Sequence, residues 1–151
     1  MQWFLDIFRN PYILAGLTAW AIAQVLKTLI HAIVYKKWDW TRIMGDGGMP
    51  SGHSATVTAL ATMAGFTEGT RSFAFAIALI LAIVVCHDAM GVRRETGKQA
   101  VILNELMDLI NHPERSPEEQ LKIFVGHSPL QVLMGILLGI SVAVGMYFLV
   151  F

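Results

Sequence analysis

Two short stretches carry the residue types that could do chemistry. Residues 47–54 read Gly-Gly-Met-Pro-Ser-Gly-His-Ser, and a run of good helix formers follows to Phe66. Pro50 fits a first helical turn and Ser51 an N-cap. The N–H groups of a first turn have no intrahelical partner, so this start is ready for an anion, with His53 beside it. Gly126-His127-Ser128-Pro129 repeats the device, because Ser128 and Pro129 also open a helix. Imidazole titrates near neutral pH and serves as nucleophile or acid. Lys27, the pair Arg93-Arg94, and Lys98 are the cations that could join the two histidines. Cations and backbone N–H groups together neutralise phosphoryl oxygens, so a phosphate-handling site is the chemistry this set suits. Carboxylates are few, and no His-x-x-x-His pair joins His53 to His127. Neither a metal nor a cofactor is expected.

The elements that position these residues are apolar. The chain has 151 residues, 55% of them hydrophobic and 15% charged, with net charge zero, and its mean hydropathy is +0.57. That suits one domain that is too hydrophobic for an ordinary soluble fold. The zero net charge implies no nucleic-acid partner. Phe73 to His87 and Pro129 to Phe151 carry no Lys, Arg, Asp or Glu, and each is near the length a bilayer needs. The expected fold is an all-α integral membrane protein. It is a small bundle of about four transmembrane or half-membrane helices plus amphipathic interfacial helices, in a single domain over residues 1–151. The spans are expected at about 12–35, 51–66, 72–92 and 129–151, with a cytoplasmic-face segment over 93–128.

Within the first span, Gln24, Lys27 and His31 share one helix face. A buried cation is costly, so such a face turns to the protein interior or to a partner, although Lys27 snorkelling to the headgroups is the plain alternative. Asp6 against Arg9 makes a weak positive region, so this segment is read as a retained span rather than a leader. Met1 to Arg9 reads as a short amphipathic helix. Arg93-Arg94, expected at the end of the third span, would also suit plain interface anchors. Gly97 to Asn111 is expected to be an amphipathic helix, and Ser116 with Glu119 a capping box for a short helix ending near Val125. Cys86 reads as a small buried hydrophobe. Gly135 and Gly139 make a small-xxx-small face that allows close helix contact, and this face raises the expectation of a homodimer.

With every span crossing, both termini lie on one side with Arg9 and Arg71. The other side holds Lys36, Lys37, Arg42, Arg93, Arg94, Lys98, Arg115 and Lys122. The positive-inside rule makes that face cytoplasmic, and both histidine-bearing helix starts fall on it.

The Pro50-Ser51-Gly52-His53 motif resembles the second signature of the type 2 phosphatidic acid phosphatase superfamily, which also includes vanadium haloperoxidases. His127, followed by Val132, Gly135 and Gly139, is similar to its third. The wording of residues 47–54, Asp88-Ala-Met-Gly-Val-Arg-Arg, Gly97-Lys-Gln-Ala and Leu103-Asn104 resembles a small, divergent bacterial branch of that superfamily, over roughly Gln24 to Gly139. The resemblance implies a metal-independent phosphomonoesterase in a bacterial cell membrane. His127 would attack phosphorus to form a phosphohistidine, and His53 would protonate the leaving oxygen. Lys27, Arg93, Arg94 and Lys98, with the N–H groups of Ser51 and Gly52, would hold the phosphoryl oxygens. The sequence departs from the family in three places. The first signature, a lysine then six residues then Arg-Pro, is missing; Lys27 is the candidate for its lysine and Arg42 for its arginine. Arg94 and His127 stand 33 apart, where the family places arginine and histidine close together. Gln131 occupies the place of the acid that orients the nucleophile, so Asp88, Glu105 or Asp108 would have to substitute. The expected activity is hydrolysis of a phospholipid phosphomonoester within the bilayer, phosphatidylglycerophosphate- or phosphatidate-like. An inert phospholipid-binding or transport protein on the same scaffold and a purely structural membrane subunit are the alternatives.

Overall fold

The computed structural model describes residues 2–38, 48–109 and 127–149. Among them are six helices and no strand: α1 (Gln2–Ile7), α2 (Pro11–Tyr35), α3 (Gly52–Thr67), α4 (Phe73–Met90), α5 (Val92–Leu109) and α6 (Pro129–Leu149). Each long helix starts where a local signal places it. Asn10 Oδ1 accepts from the N–H groups of Tyr12 and Ile13, with Pro11 in the first turn of α2. Ser51 and Ser72 cap α3 and α4 through their hydroxyls. These bonds satisfy donors that a helix start otherwise leaves open.

Three segments are long and apolar enough to cross a membrane: Pro11–Tyr35, Phe73–Met107, which runs on from α4 into α5, and Pro129–Leu149, with mean hydropathies of 1.7, 2.3 and 2.3. α3 has 16 residues, about 24 Å of helix, against a hydrocarbon core of about 30 Å. It is nevertheless the centre of the bundle, packed by α2, α4 and α6. Its residues Ala55, Ala59 and Met63 meet Ala15, Ala19 and Ala23 of α2 and Ala143 of α6. Its other side, Ala61 and Ala64, meets Ala78 and Ala82 of α4. Cys86 joins Ala89 and Val132 in a third buried cluster. The large apolar side chains point outwards instead: Ile33 is 75% exposed, Phe73 80% and Leu149 86%. Small residues inside and large ones outside is the arrangement lipid favours, because helices surrounded by hydrocarbon gain only from close mutual packing.

The contacts also give the helix directions. At one end, Tyr12 donates its hydroxyl proton to Glu68 Oε1 at 2.6 Å and accepts from Thr67 Oγ1 at 2.9 Å. Phe66 lies 4.9 Å from Tyr147 between ring centroids, and Phe75 packs over Gly65. At the other end, α3 starts beside the start of α6 and the end of α4. So α2 and α4 run one way, and α3 and α6 the other.

Several expectations change here. Pro50 is not in the first turn of α3; it precedes the Ser51 cap, and the Met49–Pro50 peptide is cis. The break after α4 falls at Gly91, whose backbone leaves helical geometry (φ −96°, ψ −93°). Arg93 and Arg94 therefore open α5 rather than close the preceding span, and α5 starts five residues before the Gly97 expected for it. The glycine face of α6 is spent inside the chain. A Cβ at Gly135 would lie 2.5 Å from the Ser51 carbonyl oxygen, and one at Gly139 would drive into the Ala55 carbonyl. The homodimer expectation thus loses the observation that raised it.

Candidate active site

The site is built where two helix starts meet. Ser51 is fully buried. Its hydroxyl accepts from the Ser54 N–H at 3.3 Å and from the Ser54 hydroxyl at 3.0 Å. Its own N–H donates across the bundle to the Gln131 carbonyl at 3.0 Å. Gly135 is what permits this approach, since α6 crosses with no side chain between it and the Ser51 carbonyl. One turn of helix therefore presents the first N–H groups of α3 next to the first turn of α6.

His127 stands just before α6. Its N–H donates to the Ala89 carbonyl at 3.1 Å, in the last turn of α4. This bond brings the chain back after the long excursion that follows Arg94. The two histidines then converge: the His53 and His127 rings lie 6.3 Å apart between centroids, edge to face at 83°. His127 is 3% exposed, whereas His53 is open to the surroundings. The pair thus combines a sheltered imidazole with an accessible one.

Lys27 of α2 is 6% exposed, and its stem packs under Gly48, where a Cβ would lie 3.0 Å from Lys27 Cγ. Gly48 has φ +86°, a conformation that glycine adopts at little cost. The cation is thereby held at the loop that leads into Ser51. Trp20, two turns earlier on α2, lies against Gly52. Sequence reading did not single out Trp20, although its spacing of four and seven to Gln24 and Lys27 puts it on the same face.

The other expected participants have varied surroundings. Lys98 is exposed and donates to Glu95 Oε1 at 2.6 Å, one turn along α5. Glu105 is exposed on the same helix. Gln131 closes a capping box: its Oε1 accepts from the Ser128 N–H at 3.0 Å, and its own N–H donates to Ser128 Oγ at 3.3 Å. That engagement is with the helix start rather than with an imidazole. Asp88 is half-buried and immediately precedes Ala89, the residue that receives the His127 N–H. Arg93 and Arg94 fall in the first turn of α5. Arg42, the Asp108 side chain and the capping box expected at Ser116 lie outside the described residues.

No solved structure matches the chain at a significant level. A curated bacterial protein does. The chain is 38% identical over 147 residues to the uncharacterized membrane protein YuiD of Bacillus subtilis (strain 168), covering 90% of this chain and 93% of that one. Residues 8–142 match the model of the Divergent PAP2 family. With residues 8–142 matched by the family model and nine-tenths of the chain aligned to that relative, the chain belongs to the Divergent PAP2 family.

Proposed function

We propose that this membrane protein is a lipid phosphate phosphatase that hydrolyses a phosphomonoester through a phosphohistidine. The observation that carries the reading is the meeting of His53 and His127 at 6.3 Å, each at or beside the start of a helix whose N–H groups attract an anion. One nitrogen of His127 attacks phosphorus, the bond from phosphorus to the lipid oxygen breaks, and His53 gives its proton to that leaving oxygen. Water then displaces the phosphoryl group from His127, gives a proton to His53, and inorganic phosphate departs. The N–H group of Gly52 holds a phosphoryl oxygen at the start of α3, whereas that of Ser51, expected to join it, is spent on the Gln131 carbonyl. The nearby Lys27 charge, and Arg93 or Arg94 from the turn after α4, complement the charge that develops during transfer. Family membership supports phosphatase chemistry in general; the lipid substrate and the histidine roles are our reading.

We assign the orienting of His127 to Asp88, a half-buried carboxylate next in sequence to Ala89, the acceptor of the His127 backbone N–H. It takes the part that Gln131, engaged on Ser128, does not. The positive-inside rule supports a cytoplasmic site. Lys36 and Lys37 follow the end of α2, and Arg93, Arg94 and Lys98 follow the end of α4, whereas Arg9 and Arg71 belong to the opposite end. An exposed His53 beside a sheltered His127 suits a headgroup that enters while its tails stay in the bilayer.

The test is phosphate release from purified protein against a panel of lipid phosphates, with His127→Ala and His53→Ala. His127→Ala should abolish release and the acid-labile phosphoenzyme, and His53→Ala should slow leaving-group departure. Unchanged release from His127→Ala would remove the mechanism. Absence of release from every lipid, with lipid binding retained, would favour the inert lipid-binding reading, which the engagement of Gln131 in a cap motivates.

A further inference from the structure

Three helices pack on α3, but they do not close around it. α2 and α6 also pack on each other, as do α4 and α6; among the described residues no comparable interface joins α2 to α4. One side of α3 is therefore left without a helix over it. Two adjacent residues mark its edges. Thr56 lies against Gly16 of α2, and Val57 packs on the clusters to which α4 contributes Ala78, Ala82, Cys86 and Ala89. His53 stands one turn before this pair and Leu60 one turn after it. At about 100° per residue, both point between Thr56 and Val57, into the gap. His53 is exposed, and Thr56, Val57 and Leu60 are only half-buried although they belong to the central helix.

The groove so formed has a titratable head and an apolar bed. At its far end Tyr12 of α2 and Phe75 of α4 pack against the same alanine cluster as Val57 and Leu60. The Tyr12 hydroxyl is held there by Thr67 and Glu68, so the groove stops at these rings. From His53 to Ala64 is eleven residues, about 16 Å of helix. The hydrocarbon of one leaflet is about 15 Å deep, half of the bilayer core. A groove that is apolar along its bed, open sideways to hydrocarbon and continuous with the paired histidines suits a single acyl chain. We propose that this groove binds one acyl chain of the substrate, so that a lipid enters sideways between α2 and α4 and its phosphoryl group is delivered to His53 and His127. This rests on the phosphatase reading for its kinetic readout and on binding alone for its labelling readout.

The labelling test uses full-length His127→Ala protein in phosphatidylcholine vesicles that contain a phosphatidic acid with a photoactivatable diazirine midway along one chain. Label should fall on Thr56, Val57 and Leu60 and disappear when unlabelled phosphatidic acid is added. Ile80 and Val84, on an exposed face of α4, meet bulk lipid, so label there should persist. Label that the competitor does not remove from α3, or that it removes equally from both faces, would overturn the groove. For the kinetic test, Leu60→Trp fills the bed. It should lower kcat/KM for phosphatidic acid by about tenfold or more, the lower end of what one misfitted group in an apolar pocket costs. The value for p-nitrophenyl phosphate, which has no chain, should not move, and Ile80→Trp should leave both substrates as they are. A fall shared by both substrates, a fall as large in Ile80→Trp, or no fall at all would overturn the groove. Leu60→Phe takes the place of the tryptophan variant if thermal unfolding shows that it does not fold. Competed label on α3, with no phosphate released from any substrate by the wild type, would keep the groove and remove the phosphatase.

Discussion

Replacing Gly135 by alanine tests whether the two helix starts are held together by close backbone approach. The new Cβ would lie 2.5 Å from the Ser51 carbonyl oxygen and 3.0 Å from Ser54 Cβ. Ordinary contact begins near 3.4 Å, so α3 has to retreat by the difference of 0.9 Å. Overpacking of this kind costs about 1–3 kcal/mol, while alanine in place of helical glycine contributes about 1 kcal/mol in the opposite direction. Gly145, on the same helix, has nothing within 4 Å of its missing Cβ. Gly145→Ala therefore keeps the propensity gain without the clash, and the difference between the two variants isolates the clash at about 1–3 kcal/mol. For a chain of this size that corresponds to a gap of about 2–12 °C in midpoint, readable by thermal unfolding in detergent. Activity should fall further than stability. Ser51 carries both the α3 cap and the bond to Gln131, and a misplacement of about 1 Å can cost about a hundredfold in rate. Equal midpoints for the two variants, or full phosphate release from Gly135→Ala, would refute the close-approach reasoning.

Other outcomes follow from the same geometry. Asp88→Asn should reduce phosphate release by about a hundredfold or more while leaving the unfolding midpoint nearly in place, as expected when a carboxylate orients a catalytic imidazole; a loss below threefold would exclude Asp88 from that part. Lys98→Ala should change release by less than about threefold, because exposed pairs such as Lys98–Glu95 contribute at most about 1 kcal/mol. A hundredfold fall would return Lys98 to the phosphate site. Tyr12→Phe removes the 2.6 Å bond to Glu68 at the opposite end of the bundle, so it should cost about 0.5–1.5 kcal/mol of stability with kcat/KM unmoved. A kinetic effect would show that the two ends are coupled.

The helix starts were legible in the sequence because caps are local signals. Ser51 was placed as a cap from its own neighbourhood, and Ser128 with Pro129 as a helix start. Pro50 was misplaced by a residue or two, since a proline suits the position before a cap as well as the first turn. Ser128 and Gln131 are a Ser-x-x-Gln capping box with the spacing in plain view. Comparing Gln131 with a missing acid hid that simpler function. The Gly135–Gly139 face announced a close helix contact, but spacing names no partner, and the partner is α3 rather than a second chain. The return of His127 to Ala89 is non-local and leaves no periodic trace, so the gap after Arg94 could not be closed from sequence. Lys98 looked available because its net charge was counted without Glu95, one turn away.

The bond from the His127 N–H to the Ala89 carbonyl has a consequence for how this chain can change over time. It pins the two ends of residues 90–126 side by side, independently of what lies between. The contact therefore sets where α6 starts relative to the end of α4. A single inserted residue between Ser51 and His53 would instead rotate the imidazole by about 100° around the helix. The chain therefore sets one histidine by a backbone bond between distant residues and the other by a two-residue spacing within a single helix start, which tolerates no insertion.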